Sequence, residues 1–252
     1  MALLEVEGLS VAFGGLAALS GVSLAVSAGT VYAIIGPNGA GKTTLLNAVA
    51  GYVRPASGRI RIDGRDTTDL APHAIARQGL RRTFQNGGVW GEMTVLENIL
   101  VGVDHDAQSG LLGILFGFGR DRRTERRAVA EARAILARAG LAGIEDKRVR
   151  DLSFGQQRVI EISRALVSRP RILLLDEPAV GLSESEREEL GARLRALAQE
   201  GTAVILVEHV VDLVMAVSDR VLVLNSGQVL AEGTPEEVRG DAAVVEAYLG
   251  SA

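Results

Sequence analysis

The feature that most constrains this chain is "GPNGAGKT", Gly36 to Thr43, which lies between a strand candidate and a helical segment. The preceding "TVYAII" is a largely apolar run typical of a buried strand, and the following "GKTTLLNAVAG" has helical spacing with Gly51 as a stop signal. Glycines in such a loop let backbone N–H groups approach phosphate oxygens, and the helix N-terminus adds positive potential. The pattern predicts a phosphate-binding loop, against the alternative of a glycine-rich turn without a ligand.

Two side chains of this loop carry specific chemistry. Lys42 is placed to reach the β- and γ-phosphates of a nucleotide, where it neutralises charge that develops during transfer to water, and the Thr43 hydroxyl suits Mg²⁺. The residues that we expect to contact the nucleotide here are Gly36, Pro37, Asn38, Gly39, Ala40, Gly41, Lys42, Thr43 and Thr44. By itself, the loop indicates only a P-loop nucleoside triphosphatase.

A second strand candidate, "ILLLDE", ends in two carboxylates, Asp176 and Glu177. Ligands bind at the C-terminal ends of strands in open α/β sheets, so both side chains are placed for chemistry. Asp176 is expected to hold Mg²⁺ directly or through water, and Glu177 to polarise the attacking water as general base. Acidic strand ends without a ligand are common, but the phosphate-binding loop earlier in the chain favours the catalytic interpretation.

The rest of the chain alternates between strand and helix signals around one helical stretch. "RILLLDE" and "TAVILVE" predict buried parallel strands with a helix between them, "RVLVLNSGQVLAEG" predicts a hairpin, and "RIRID" predicts an edge strand. From Val95 to about Ala139 there are few strand signals. The sequence therefore predicts an α/β P-loop core with an antiparallel β part and an inserted helical lobe at about residues 90–168.

The segment "DLSFGQQRVIE", Asp151 to Glu161, predicts a second helix start that suits phosphate. Ser153 and Gly155 are placed to present a hydroxyl and backbone N–H groups to an anion. Because the first loop already holds its own nucleotide, a second site makes sense if it serves the nucleotide of another subunit. Two chains packed head to tail would each complete the other's site. The alternative is an ordinary N-capped helix.

Together these motifs resemble the ATP-binding subunit of ABC transporters, and the resemblance covers nearly the whole chain. The family signature is Leu-Ser-Gly-Gly-Gln, and this chain has Leu-Ser-Phe-Gly-Gln, with Phe154 in place of glycine. The resemblance implies one ABC-type ATP-binding domain over residues 1–252, with ATP and Mg²⁺ as cofactors. It also implies that Ser153, Gly155 and Gln156 contact the ATP held by the opposite subunit.

The resemblance implies roles for three further residues. Phe13 matches the aromatic residue that stacks on adenine, with a core aromatic as the alternative. Gln85 matches the glutamine that senses Mg²⁺ and communicates with the membrane subunit, with a solvated loop residue as the alternative. His209 matches the histidine that contacts the γ-phosphate. The loop after Glu177, "PAVGLSESE", lacks the aspartate that many family members have and offers Ser183.

Five stretches resemble the longer ATPase subunit of branched-chain amino acid importers: "RTFQ", "MTVLENILVG", "LSFGQQRVIEISRAL", the Gly181-Leu182 loop and "VVEAYLG". That subunit carries an insertion corresponding to about residues 110–127. The resemblance implies a second ATPase subunit (a heterodimer, with a homodimer left open), two integral-membrane permeases and, indirectly, a periplasmic or extracellular substrate-binding protein. It places the chain at the cytoplasmic face of the inner membrane. Importers of urea, amides or aromatic acids use similar ATPases.

Composition limits the other possibilities. The chain has no cysteine, which excludes disulfides and thiolate metal sites, and its net charge of −4 gives no basic excess for nucleic acid. The N-terminus lacks a secretory signal, and the most apolar segment, "GLLGILFGFG", is too short to span a bilayer, so we expect a protein that is soluble when isolated. This segment suits packing against a permease or its own lobe, and "RDRRTERR" suits lipid headgroups or a solvated helix start.

Three rival functions remain open at this stage. The ATPase of a lipid or lipopolysaccharide exporter also lacks membrane spans. A non-transport ABC ATPase acting on ribosomes or DNA usually carries two cassettes or a long coiled coil, neither of which this chain has. A third possibility is a P-loop kinase or GTPase, but this assignment would not account for the signature and His209 together.

Overall fold

The computed structural model describes residues 2–83, 88–103 and 122–249. These residues form two compact units. The core unit consists of Met1–Gln85 and Arg171–Ala252, and the helical unit consists of Asn86–Pro170.

Two sheets build the core unit. The strands are β1 (Ala2–Phe13), β2 (Leu16–Ser27), β3 (Val31–Ile35), β4 (Ser57–Ile62), β5 (Arg65–Asp66), β6 (Leu80–Arg82), β7 (Ile172–Asp176), β8 (Ala203–Val207), β9 (Arg220–Asn225) and β10 (Gln228–Gly233). The six-stranded sheet has the order β10-β9-β3-β8-β7-β6, and the four-stranded sheet has the order β2-β1-β4-β5. The smaller sheet is antiparallel, whereas β9, β3, β8, β7 and β6 run parallel.

The three strands β3, β8 and β7 are neighbours at the centre of the larger sheet. Every one of their residues is buried, as their continuous apolar sequences predict. Asp176, the last residue of β7, is the one carboxylate among these strand residues. Because the three strands are parallel, their C-terminal ends lie at the same edge of the sheet. The candidate site is located at that edge.

The helices in the described residues are α1 (Lys42–Val49), α2 (Pro72–Arg77), α3 (Val95–Leu100), α4 (Arg122–Arg138), α5 (Phe154–Leu166), α6 (Glu184–Gln199), α7 (Val211–Val217), α8 (Pro235–Gly240) and α9 (Ala242–Leu249). Four of them, α3, α5, α6 and α8, begin with a capping box, in which side chains accept hydrogen bonds from two N–H groups at the helix start. None of the helices in the described ranges combines the length and apolarity needed to cross a bilayer.

The helical unit has its own apolar core. Val95 and Ile99 of α3, Leu136 of α4 and Ile160 of α5 are buried against one another. The same unit contains a buried ion pair within α5. Nη1 of Arg158 lies 2.6 Å from Oε2 of Glu161. Most of the insertion expected at residues 110–127 lies outside the described residues.

The predicted fold class is confirmed, with one local correction. The hairpin of β9 and β10 and the β7–α6–β8 unit form as expected. The prediction that "RIRID" is an edge strand is wrong, because β4 pairs with β1 on one side and with β5 on the other. A tight turn at Asp63 and Gly64, both with positive φ, folds two further residues back onto β4. This strand was missed because it has only two residues.

Candidate nucleotide-binding site

The loop between β3 and α1 is shaped by glycines. Gly36, Gly39 and Gly41 all have positive φ, which L side chains rarely adopt. A Cβ on Gly36 would overlap the carbonyl oxygen of Leu224, and a Cβ on Gly41 would lie 2.7 Å from the carbonyl oxygen of Ala18. The loop therefore packs against neighbouring backbone so closely that glycine is required at both positions.

Lys42 is the first residue of α1, and its ammonium group turns back into this loop. Nζ donates to the carbonyl oxygens of Gly36 at 2.7 Å and Pro37 at 3.1 Å, and the residue is buried. Burial lowers the pKa of Lys42, while the nearby carboxylates of Glu177 and Asp176 act in the opposite direction. A cation held inside the loop suits the binding of phosphate.

The start of α1 differs from the capped helices. Its N-cap is Gly41, which has no side chain to accept a hydrogen bond from the first-turn N–H groups. Thr43 is exposed and Thr44 half-buried in that turn. The remaining loop positions, Asn38 and Ala40, are exposed and buried respectively. The first turn of α1 therefore has no side-chain cap, and the binding of phosphate by its N–H groups stays a prediction.

Asp176, the last residue of β7, is buried, and its two carboxylate oxygens have different surroundings. Oδ2 lies 3.1 Å from Nη2 of Arg82, whereas Oδ1 is buried without a hydrogen-bond partner in the described structure. Burial raises the pKa of Asp176, and the Arg82 guanidinium opposes this effect. A buried, unpartnered carboxylate oxygen is unfavourable unless a cation or its water binds there, so the carboxylate fits the predicted Mg²⁺ site.

The described residues offer no cluster of three or more histidine or acidic side chains for a metal. Mg²⁺ usually takes one or two carboxylates and completes its shell with phosphate and water. Gln85, the third predicted ligand, lies outside the described residues.

Glu177 and His209 come together at the same sheet edge. Glu177 follows β7 with a φ of 49°, a strained conformation for a residue with a side chain, and its N–H donates to the Val207 carbonyl at 2.8 Å. Its Oε1 lies 3.9 Å from Nδ1 of His209, which follows β8. The His209 side chain is 54% exposed and the Glu177 side chain 18%, so both remain accessible to a ligand.

Phe13 lies at the end of β1, paired with Leu16 across the β1–β2 hairpin. It is 52% exposed, so the alternative of a core aromatic is wrong. Its stacking on adenine stays a prediction.

The helical unit holds the second predicted phosphate contact. Ser153 is the N-cap of α5, its Oγ accepts from the Gln156 N–H at 3.2 Å, and Gln156 Oε1 accepts from the Ser153 N–H. Ser153 therefore caps the helix, as the alternative interpretation states. Its hydroxyl is also exposed and keeps a proton that it can donate to a ligand. Gly155 is half-buried in the first turn, and Phe154 is 52% exposed with Arg158 over its ring.

Sequence reasoning missed two residues of this site, Arg82 and Glu208. Arg82 donates to Asn47 Oδ1 at 2.6 Å as well as to Asp176. Glu208, which is fully buried, accepts hydrogen bonds from backbone N–H groups on two segments. An acidic residue directly after the apolar run "VILV" was the available signal for Glu208, because Asp176 likewise directly follows the apolar run "ILLL".

Comparison with protein families agrees with this geometry. The family model described as ABC transporter matches residues 19–180, and that described as branched-chain amino acid ATP-binding cassette transporter matches residues 228–252.

Three curated relatives illustrate the similarity over full length. The chain is 45% identical over 251 residues to the high-affinity branched-chain amino acid transport ATP-binding protein BraF of Pseudomonas aeruginosa. It is 42% identical to LivG of Salmonella typhimurium and 41% identical to LivG of Escherichia coli, which carry the same description. Each alignment covers 99% of this chain and 98% of the relative.

Solved structures agree as well. A nucleotide-free ATP-binding cassette from an ABC transporter superposes with a TM-score of 0.87 at 34% identity, covering 98% of this chain and 99% of that one. A cassette in its ADP conformation has a TM-score of 0.86 at 34% identity, covering 99% of both chains.

Proposed function

Because the chain belongs to the ABC transporter family of ATP-binding proteins, an ATPase family, we propose that it powers the import of branched-chain or related amino acids through separate permease subunits. The observation that carries the proposal is that Lys42, Asp176, Glu177 and His209 lie near one another at the C-terminal ends of three adjacent parallel strands. The cargo is inferred from the relatives and from the family match at residues 228–252.

The proposed chemistry begins with ATP in the loop after β3. The N–H groups of the loop and the Lys42 ammonium hold the β- and γ-phosphates, and Phe13 stacks on adenine. Thr43, Asp176 and Gln85 would hold Mg²⁺, which when bound neutralises charge on the phosphates.

Hydrolysis then follows from the position of the remaining groups. Glu177 accepts a proton from the attacking water, and the imidazole of His209 steadies the γ-phosphate. Lys42 offsets the negative charge that develops on the transferred group. The separation of 3.9 Å between Glu177 Oε1 and His209 Nδ1 suits two groups that act on neighbouring atoms of one substrate.

The proposed assembly uses both units of the chain as one ABC-type domain over residues 1–252, with the helical lobe at about 90–168. Ser153, Gly155 and Gln156 of one ATPase subunit contact the ATP of the other, so that two ATP molecules lie at a head-to-tail interface. The second ATPase is a different chain, and closure of the pair drives two integral-membrane permeases. A periplasmic or extracellular binding protein supplies the cargo, the ATPases lie at the cytoplasmic face, and no nucleic acid takes part.

The exposed signature supports this assembly. Ser153 is exposed on the helical unit, and Phe154 beside it exposes half of an aromatic ring. An exporter ATPase would use the same chemistry, but the matched relatives carry the description of branched-chain amino acid transport.

Affinity capture from native membranes tests the proposal. The bait is the Glu177→Gln chain with ATP and Mg²⁺, a variant expected to pair without turnover, and the control is the same bait with ADP. We expect two hydrophobic permeases and a second, distinct ATPase in the ATP sample, followed by ATP-dependent uptake of leucine when these chains are reconstituted in vesicles. Recovery of exporter subunits, or of ribosomal or chromosomal proteins, would contradict amino acid import.

A further inference from the structure

Glu208 is a buried carboxylate that the proposed mechanism does not use. It directly follows β8, directly precedes His209, and is fully buried in the core unit. Burying a carboxylate is costly unless hydrogen bonds compensate it. Its surroundings should therefore indicate what the charge is for.

The hydrogen bonds of Glu208 join two different segments. Oε1 accepts from the N–H of Ala179 at 2.7 Å, and Ala179 lies two residues after the proposed base, Glu177. Oε2 accepts from the N–H of His209 at 3.0 Å and from that of Val210 at 3.3 Å. One carboxylate thus connects the backbone after β7 to the backbone after β8.

The chemistry of the side chain fits this connection. An ionised carboxylate only accepts hydrogen bonds, so each oxygen can serve one segment. An amide of the same shape has a single acceptor oxygen, and its NH₂ group would face an N–H donor on one side. A neutral isostere can therefore hold one segment but not both.

The loop after Glu177 is held at both ends. Glu208 fixes Ala179, and Ser183 begins α6 in a capping box with Glu186. Between these points Val180 is 40% exposed, so an apolar side chain faces outward from a loop with fixed ends. Because the Glu208 carboxylate accepts hydrogen bonds from both segments, a shift of the His209 backbone would also displace Ala179.

We propose that Glu208 is a positioning residue that sets the backbone of His209 and the loop Ala179–Ser183 in one common arrangement. The inference rests on the proposed function, since it takes the γ-phosphate as the group that His209 contacts. Glu208 itself does not touch the nucleotide. It acts through the backbone of His209. Because it also accepts from the Ala179 N–H, a shift of His209 on binding the γ-phosphate also shifts the loop Ala179–Ser183.

The test compares binding of AMP-PNP, a non-hydrolysable ATP analogue, with binding of ADP to the full-length chain by titration calorimetry. We expect Glu208→Gln to weaken AMP-PNP binding about tenfold and to leave ADP binding within about twofold, because one hydrogen bond to a charged group is lost. His209→Ala should have the same effect, and the double variant should be no worse than His209→Ala alone. Glu189→Gln makes the same charge change at an exposed site and should change neither affinity.

Several outcomes would overturn the inference. These are an unchanged preference of Glu208→Gln for AMP-PNP over ADP, equal losses for both nucleotides, or fully additive effects in the double variant. A wild-type chain that binds neither nucleotide would instead contradict the proposed function, so the two failures are distinguishable.

Amide hydrogen exchange of the wild-type chain keeps the inference testable if Glu208→Gln does not fold. We expect the amides of Ala179 and Val210 to gain protection together when AMP-PNP binds, and less so with ADP. Protection of one amide without the other would show that Glu208 does not connect the two segments.

Discussion

Arg82 and Asp176 form an ion pair in the interior of the core unit, with Nη2 3.1 Å from Oδ2 and side-chain exposures of 5% and 2%. The same guanidinium donates to Oδ1 of Asn47 on α1 at 2.6 Å. Arg82 therefore links strand β6, the carboxylate proposed to hold Mg²⁺ and the helix that follows the phosphate-binding loop.

Replacing Arg82 with methionine should destabilise the chain. The variant keeps much of the side-chain volume but leaves the buried carboxylate of Asp176 without its cation, a change that costs about 3–5 kcal/mol when one partner of a buried pair is removed. The free energy of unfolding in urea measures the loss. Arg54→Met removes an exposed pair with Asp69 and should cost no more than about 1 kcal/mol. Equal losses in the two variants would contradict the role of burial.

Replacing Gly36 with alanine should abolish nucleotide binding and lower stability. The new Cβ would overlap the Leu224 carbonyl oxygen, so either the loop or strand β9 must move, at a cost of about 1–3 kcal/mol. Calorimetric titration with ATP and thermal unfolding together measure both effects. Gly240→Ala is the control, because a Cβ there meets nothing within 4 Å. Wild-type ATP affinity in Gly36→Ala would show that the loop tolerates the side chain.

Replacing Lys42 with methionine should separate stability from binding. Burial lowers the pKa of Lys42, which means that its positive charge is unfavourable in the folded, nucleotide-free protein. The free energy of unfolding of the variant should therefore equal or exceed that of the wild type. ATP affinity should fall about 100-fold, because a charge-assisted hydrogen bond to phosphate is lost. Lys147→Met, at an exposed position of the helical unit, should alter neither quantity. A large loss of stability in Lys42→Met would mean that the lysine serves the fold.

Replacing Phe13 with alanine should weaken ATP binding through the base alone. Stacking of a base on an aromatic ring contributes about 1–3 kcal/mol, which corresponds to a loss of about 5- to 150-fold in affinity. Inorganic tripolyphosphate, which has no base, should bind both proteins equally, and Phe13→Trp should restore ATP binding. Leu16→Ala changes an exposed neighbour across the hairpin and should have little effect. An equal loss for ATP and tripolyphosphate would remove Phe13 from the adenine site.

Short-range features of this protein were predictable from the sequence. The phosphate-binding loop, the hairpin turn at Ser226 and Gly227, and the capping box of Thr234 and Glu237 depend on residues within a few positions of one another. The central strands were predictable because a strand buried on both faces must be apolar throughout. The phosphate-binding loop and the strand that ends at Asp176 also carry part of the family resemblance, and they placed Lys42, Asp176 and Glu177 in the predicted site.

Long-range pairings were decided only by the tertiary structure. Arg82 and Asp176 are separated by 94 positions, and Ala179 and Glu208 by 29. No local pattern marks which arginine will reach which carboxylate, because the order of the strands in the sheet decides which chain ends meet. The two-residue strand β5 was likewise invisible, since its pairing with β4 depends on a turn and not on a hydrophobic period. The sequence by itself predicted which groups carry the proposed chemistry, and the packing of β6, β7 and β8 decided which buried charged residues contact those groups.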